Sequence, residues 1–236
     1  MPAFSIDRVA HADIVVSAEA AEFERVNAYA ISANWESTHT ENPSLFNGVV
    51  HLCAAAEVVD DSIHLTCHQV RFATLLYWRL RPSGSGLRNT FGDVILRCSD
   101  GGILLGRMAR HTANAGRLSL PGGSFDSSDV AAGRIDPRGG IRRECAEETG
   151  FGPDDYVLDD DLIVYRDDRR VAFAQIARLP LTSVEACARV RAFLATESNP
   201  ELEDITVVPG IAEADRLIPD TYERHLIAHV FGENWP

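Results

Sequence analysis

Lysine is absent from the 236 residues, so arginine supplies all 22 basic side chains. A phosphate-binding P-loop, a protein-kinase strand and a pyridoxal Schiff base each require a lysine, and all three classes are disfavoured. Any phosphate clamp must therefore use arginine, backbone N–H groups or metal. Paired cysteines are also missing. Cys53, Cys67, Cys98, Cys145 and Cys187 are scattered, with no C-x-x-C spacing, which suggests neither a zinc site nor a disulfide framework. No apolar run approaches the ~20 residues of a membrane helix. Met1 to Arg8 lacks the basic-then-apolar build of a signal peptide. Positive charge is scarce too, at a net −13, which argues against a nucleic-acid backbone as the main partner. The expectation is a soluble cytoplasmic protein with no membrane and no nucleic-acid partner.

What is present reads as alternating strands and isolated helices. Ser17 to Trp35 is predicted as a helix capped by Ser17, with Phe23, Val26 and Ala30 at helical spacing. Val49–Val59 and Ile63–Leu76 are predicted as a hairpin around Asp60-Asp61-Ser62. Arg81 to Gly86 is the best linker candidate, placing a boundary between an extension (1–85) and a main domain (86–236). Strands follow at Asp93–Cys98, Ile103–Arg107 and Arg117–Leu120, then a helix from Pro137 to Thr149. Leu162–Tyr165 and Val171–Ala177 form another hairpin. Ser183–Glu197 is a helix, Ile205–Val208 a strand, and a last helix starts at Asp220 with Glu223 at capping-box spacing. Without regular βαβ alternation, this pattern predicts an α/β/α layered fold with a mixed sheet.

The chemistry concentrates in one helix. Asp136 can cap it, Pro137 suits its first position and Gly150 its left-handed end. At about 100° per residue, Glu144, Glu147 and Glu148 fall within an arc of roughly 100°, with Ile141 and Cys145 beside them toward the core. Three crowded carboxylates call for a hard divalent cation, magnesium above all. Arg143, one turn before Glu147, can hold that carboxylate. A solvated acidic face is the bland alternative.

With the preceding Pro121-Gly122-Gly123 and the following Gly150-Phe151, these residues resemble the Nudix box, G-x5-E-x7-R-E-U-x-E-E-x-G-U, where U is bulky and apolar. The resemblance covers roughly Phe91 to Leu226 and implies a Nudix α/β/α sandwich with an amino-terminal helix and hairpin. It implies a hydrolase cleaving a phosphoanhydride in a nucleoside-diphosphate-linked small molecule, such as a nucleotide sugar or coenzyme A. Glu144, Glu147 and Glu148 would bind magnesium, with manganese as the alternative ion, and Arg143 would join Glu147 and Glu148 as catalytic. Water would attack one phosphorus in line, its base being Glu148 or a carboxylate from a downstream loop. The first half of the box departs from the pattern. Counting back from Arg143 gives Ile135 where the family has glutamate, and counting forward from Gly123 gives Asp129. A six-residue insertion separates the two counts, and Asp129 or Asp126 would partner Arg143 instead.

Other residues stay open. Arg107 and Arg110, with Gly122 and Gly123, are candidates to hold substrate phosphate. Tyr77, Trp78 and Trp35 suit either stacking or core, and His51, His64 and His68 read as strand surface. Pro121 to Asp129 looks like the P-G-G-x-x-D-x-x-D of coenzyme-A-type relatives. Asn42 to Gly48 is similar to a segment of UDP-sugar-hydrolysing ones. A homodimer is compatible with this reading, and a non-catalytic Nudix module sensing a nucleotide-like ligand is its rival.

Overall fold

The computed structural model describes residues 4–81, 86–218 and 220–232, so most of the Arg81–Gly86 linker candidate lies outside the described residues. In chain order the elements are β1 (Ser5–Val9), β2 (His11–Ser17), α1 (Glu22–Val26), α2 (Ala28–Glu41), β3 (Val49–Val59), β4 (Ser62–Arg71) and α3 (Phe72–Arg79). There follow β5 (Arg88–Arg97), β6 (Ile103–Met108), β7 (Leu118–Ser119), β8 (Gly122–Ser124), β9 (Val130–Ala131), β10 (Arg134–Ile135) and α4 (Pro137–Thr149). The last are β11 (Val157–Leu158), β12 (Leu162–Arg166), β13 (Arg170–Arg178), α5 (Ser183–Leu194), β14 (Leu202–Val208), α6 (Ile211–Leu217) and α7 (Tyr222–Gly232).

The long axis of the sheet runs β1-β12-β13-β5-β3-β4-β2-β10-β9. β13 and β5 lie parallel over nine residue pairs, while β12 flanks β13 antiparallel, so the sheet is mixed. Successive side chains of a strand point to opposite faces, and here both faces are covered. Val94 and Leu96 of β5 and Val171 and Phe173 of β13 join Ile141 and Cys145 of α4 and Val190 of α5 in one cluster. Ile95, Ala172 and Ala174 point the other way and meet Ala214 of α6 and Leu226, Ile227 and Val230 of α7 in a second. Two helical layers thus enclose one mixed sheet, which is the α/β/α sandwich expected from the strand and helix pattern.

The structure differs from the sequence expectations in five places. The first 17 residues contain two strands: β1 pairs with β12, and β2 pairs in parallel with β4. Ser17 ends β2 rather than capping a helix, and its hydroxyl accepts from the Glu19 N–H at 3.1 Å. The expected single helix is two, α1 and α2, which meet at Asn27. The second hairpin strand stops at Arg71. The rest of that apolar run coils into α3, whose start is held by Asn47 Oδ1 accepting from the Ala73 N–H at 2.9 Å. Finally, α6 precedes the last helix, which begins at Tyr222 because Asp220 adopts a φ of 53°.

Candidate active site

α4 has the expected bounds and caps. Asp136 accepts from the Arg138 N–H at 3.1 Å, Pro137 occupies the first turn, and Gly150 ends the helix at φ 71°. Its core stripe, Ile141 and Cys145, is fully buried. That stripe tilts the acidic face against the sheet, so its three carboxylates sit at graded depth. The Glu147 side chain is 59% exposed and Glu144 14%, whereas Glu148 as a residue is 4% exposed. The solvated acidic face, the bland alternative for this helix, therefore does not describe Glu148. Its Oε2 accepts from the Gly122 N–H at 2.8 Å, and its buried Oε1 has no hydrogen-bond partner. Burial pushes the Glu144 carboxyl up to about 7 and the Glu148 carboxyl well above its ordinary value.

Arg143 organises what lies around them. Its Nε and Nη2 donate to the two oxygens of Asp129 at 3.2 and 2.8 Å, a bidentate pair. Its Nη1 lies 2.9 Å from both Glu144 Oε1 and Glu147 Oε2. Asp129 is buried, and its Oδ2 also accepts from the Asp126 N–H at 2.9 Å. Asp126 instead takes the N–H and hydroxyl of Ser128, both at 2.6 Å. Ile135 sits in the core below. The insertion is itself structured: after a 3-10 turn at Ser127–Asp129, β9 and β10 form a ribbon that pairs with β2 through Arg134 and Val15. The small polar residues of this loop hid a sheet-edge element anchored by Phe125 and Ile135, both buried.

The Gly122–Gly123 turn packs so closely that side chains are excluded. A Cβ on Gly122 would lie 2.3 Å from the Gly92 carbonyl oxygen, and one on Gly123 would lie 2.5 Å from Glu144 Oε1. The first obstacle is backbone and cannot move aside. Gly122→Ala is expected to lower folding stability by about 2–3 kcal/mol, read from urea midpoints, as overpacked sites do. A change below ~0.5 kcal/mol would mean that the turn rests differently on β5.

In front of that turn opens a cavity of about 590 Å³, walled by α2 and α3 on one side and by β5, β13 and the start of α7 on the other. Gly122, Gly123 and Asp93 line it, while none of the three α4 glutamates does. Asp93 is buried beside Gly122, accepts from the Tyr222 hydroxyl at 3.0 Å, and is pushed well above the usual carboxylate range by burial. Arg107 and Arg110 do not line this cavity; Arg107 reaches the Gly116 carbonyl at 3.3 Å and Arg110 is exposed. The wall arginines are Arg79, Arg117, Arg169 and Arg170. Tyr77 and Trp78 are core residues, although Trp78 also reaches the cavity. Of the three histidines expected on the strand surface, His51 is fully buried because β3 is covered on both faces, and its Nδ1 lies 2.9 Å from the Phe125 carbonyl.

Among the described residues, no three carboxylate, imidazole or thiol groups converge as an ion-binding cluster. Two of the glutamates share the Arg143 guanidinium instead. The donor chemistry nonetheless fits a hard divalent cation: three carboxylates on one face, one of them with a buried, unpartnered oxygen. A fourth, Glu201 just before β14, is near enough for its charge to raise both Glu144 and Glu148. Separated from α4 by more than fifty residues, it carried no local motif by which sequence reading could find it.

No family model matches this chain, and no curated protein does. Similar solved structures include a MutT protein from Methanosarcina mazei Go1 (17% identity, TM-score 0.40, 60% of this chain and 91% of that one). The NUDIX domain of Shewanella oneidensis NrtR, solved with ADP ribose, is 15% identical with a TM-score of 0.42 over 61% of this chain and 86% of that one. A binary complex of the C. elegans Ap4A hydrolase is 11% identical with a TM-score of 0.40, over 60% and 94%. At TM-scores this low the likeness assigns no activity to this chain.

Proposed function

We propose that this chain is a Nudix-type hydrolase of a phosphoanhydride bond in a nucleoside-diphosphate-linked small molecule. Residues 86–236 would form its catalytic core, and 1–85 an extension that walls the substrate cavity. The reading rests on Glu148, a carboxylate held under the Gly122–Gly123 turn with one oxygen unpartnered, beside Glu144 and an Arg143 fixed by Asp129. In this reading Asp129 takes the part of the box glutamate that Ile135 replaces. Magnesium or manganese would be held by Glu144, Glu147 and Glu148; when bound, such an ion neutralises phosphate oxygens and makes water a better nucleophile. The chain's own residues do the rest. Arg143 orients Glu144 and Glu147, the turn of two glycines sets no side chain between the diphosphate and the carboxylates, and Glu148 or Glu201 accepts the proton of the attacking water. A small-molecule partner, a homodimer and a cytoplasmic site of action belong to the same proposal. Among the described residues no helix is long and apolar enough to cross a membrane.

The test is release of phosphate or mononucleotide from a panel of nucleotide sugars, ADP-ribose, coenzyme A, dinucleoside polyphosphates and nucleoside triphosphates. Turnover is expected with magnesium and not with a chelator. Tight ligand binding without turnover would instead make the chain a sensor.

Metal should also be visible in stability. Magnesium at a hundredfold excess over its Kd is expected to add about 2.7 kcal/mol. This gain should vanish in a Glu144/Glu147/Glu148 triple alanine variant; if it persists, the metal lies elsewhere. Without metal, Glu144 holds a proton in the folded state up to about pH 7 that the unfolded chain releases near its ordinary value of 4.5. Its contribution is thus full below about 4.5 and is lost as pH rises through 7, a decline measurable by thermal melts in chelator.

A further inference from the structure

The chain carries a net charge of −13, yet four arginines line the cavity in front of the Gly122–Gly123 turn. Two of them have structural employment. Arg169 donates to the carbonyls of Arg81 (2.7 Å), Arg79 (3.3 Å) and Trp78 (3.4 Å), and lies 4.3 Å over the Trp78 ring, closing the end of α3. Arg170 donates to Asp167 Oδ2 at 2.7 Å with its guanidinium over Tyr222. Arg79 and Arg117 have no such role. Among the described residues neither guanidinium has a hydrogen-bond or ion-pair partner, and both side chains reach solvent. The end of α3 favours a cation at Arg79, but nothing comparable accounts for Arg117, which comes from the loop before β7.

Although Arg79 keeps solvent-exposed surface, the protein packed around it and the neighbouring charges of Arg117, Arg170 and Arg169 hold its pKa down, so these cations repel one another across the cavity. Two acids share this wall: burial raises the Asp93 carboxyl, and it raises the Glu223 carboxyl against the charges of Arg117 and Arg170, which act in the opposite direction. Like charges that line one cavity repel one another, and an anion bound among them relieves that repulsion.

We propose that Arg79 and Arg117, with Arg170 beside them, bind a phosphomonoester carried by the substrate at a distance from its scissile anhydride. This rests on the hydrolase reading for the word substrate, but not for the binding itself. A carboxylate has two oxygens and one charge and is satisfied by a single guanidinium fork. A phosphomonoester offers three terminal oxygens and a charge of about −1.5 to −2, which matches two or three forks. The site is distinct from the α4 carboxylates, which do not line the cavity, whereas this wall is built by α3, the loop before β7 and the start of β13.

The experiment is calorimetric titration of the metal-free protein, in chelator, with adenosine 5′-monophosphate and with adenosine, which lacks the phosphomonoester. The monophosphate is expected to bind at least about tenfold more tightly, as one charge-assisted contact allows. Arg79→Gln and Arg117→Gln should each erase most of that difference and leave adenosine binding unchanged, while Arg79→Lys retains part of it. Far-ultraviolet dichroism and melting midpoints verify that the variants fold; Arg117, on an exposed loop, serves if Arg79→Gln does not. Equal affinity for the nucleotide and the nucleoside, or a preference that survives both substitutions, overturns the proposal. Since no metal is present, this outcome is independent of turnover. Absence of hydrolysis across the anhydride panel would leave the phosphomonoester site standing, and loss of this site would leave the hydrolase reading intact.

Discussion

Glu148→Gln is expected to lower turnover about a thousandfold, or about 4 kcal/mol in the barrier, while raising the melting midpoint of the metal-free protein. The two effects have one origin. A carboxylate that is 4% exposed, with one oxygen unpartnered, is costly to keep charged. Glutamine keeps an oxygen for the Gly122 N–H, now 2.8 Å from Oε2, and is neutral without having to take up a proton. Relief of about 1 kcal/mol would move the midpoint of a chain this size by about 2–4 °C. The charge is nevertheless what a divalent cation or a proton needs, so activity falls as stability rises. Glu147→Gln, at an exposed position, should lower activity without the gain in stability. Wild-type turnover in Glu148→Gln would remove this residue from the chemistry, and a lower midpoint would show that its burial is compensated by a partner.

Asp129→Ala is expected to cost about 2 kcal/mol in stability, because it removes a buried, bidentate partner and leaves Arg143 with only Glu144 and Glu147. Arg143 would lose both bonds to Asp129, and the Asp126 N–H would lose its acceptor. Activity should fall as well, but less than in Glu148→Gln, since Asp129 positions Arg143 and touches neither metal nor substrate. Asp126→Ala removes only an exposed turn contact to Ser128 and should cost about 0.5–1 kcal/mol with activity nearly intact. Urea unfolding and kinetics on the two variants side by side separate these roles. Equal effects would mean that Arg143 draws on both aspartates.

The sequence made α4 legible because every signal for it is local: a cap, an N-terminal proline, a terminal glycine and one apolar stripe within fifteen residues. The two-faced central strands were legible for the same reason. What escaped was decided at long range. Phe72 to Arg79 is apolar and rich in aromatics, which periodicity cannot assign to strand or helix; Asn47, 26 residues earlier, settles it by holding the Ala73 N–H. β1 carries half-buried, mixed side chains with no clear alternation, and only β12 makes it a strand. The depth of Glu148 depends on a turn 26 residues away. The cavity arginines come from three separate elements, so no spacing could have united them.

That pairing of β1 with β12 also sets a timetable for synthesis. Ser5 meets Arg166, about 160 residues later in the chain. At roughly 5–20 residues per second on a ribosome, β1 waits on the order of 10–30 s before its partner exists. β2, by contrast, finds β4 after about fifty residues. Contacts so distant along the chain are slow to close, and a strand paired along only one edge is held by few neighbours. β1 should therefore dock among the last elements of the sheet and be among the first to let its amides exchange with solvent.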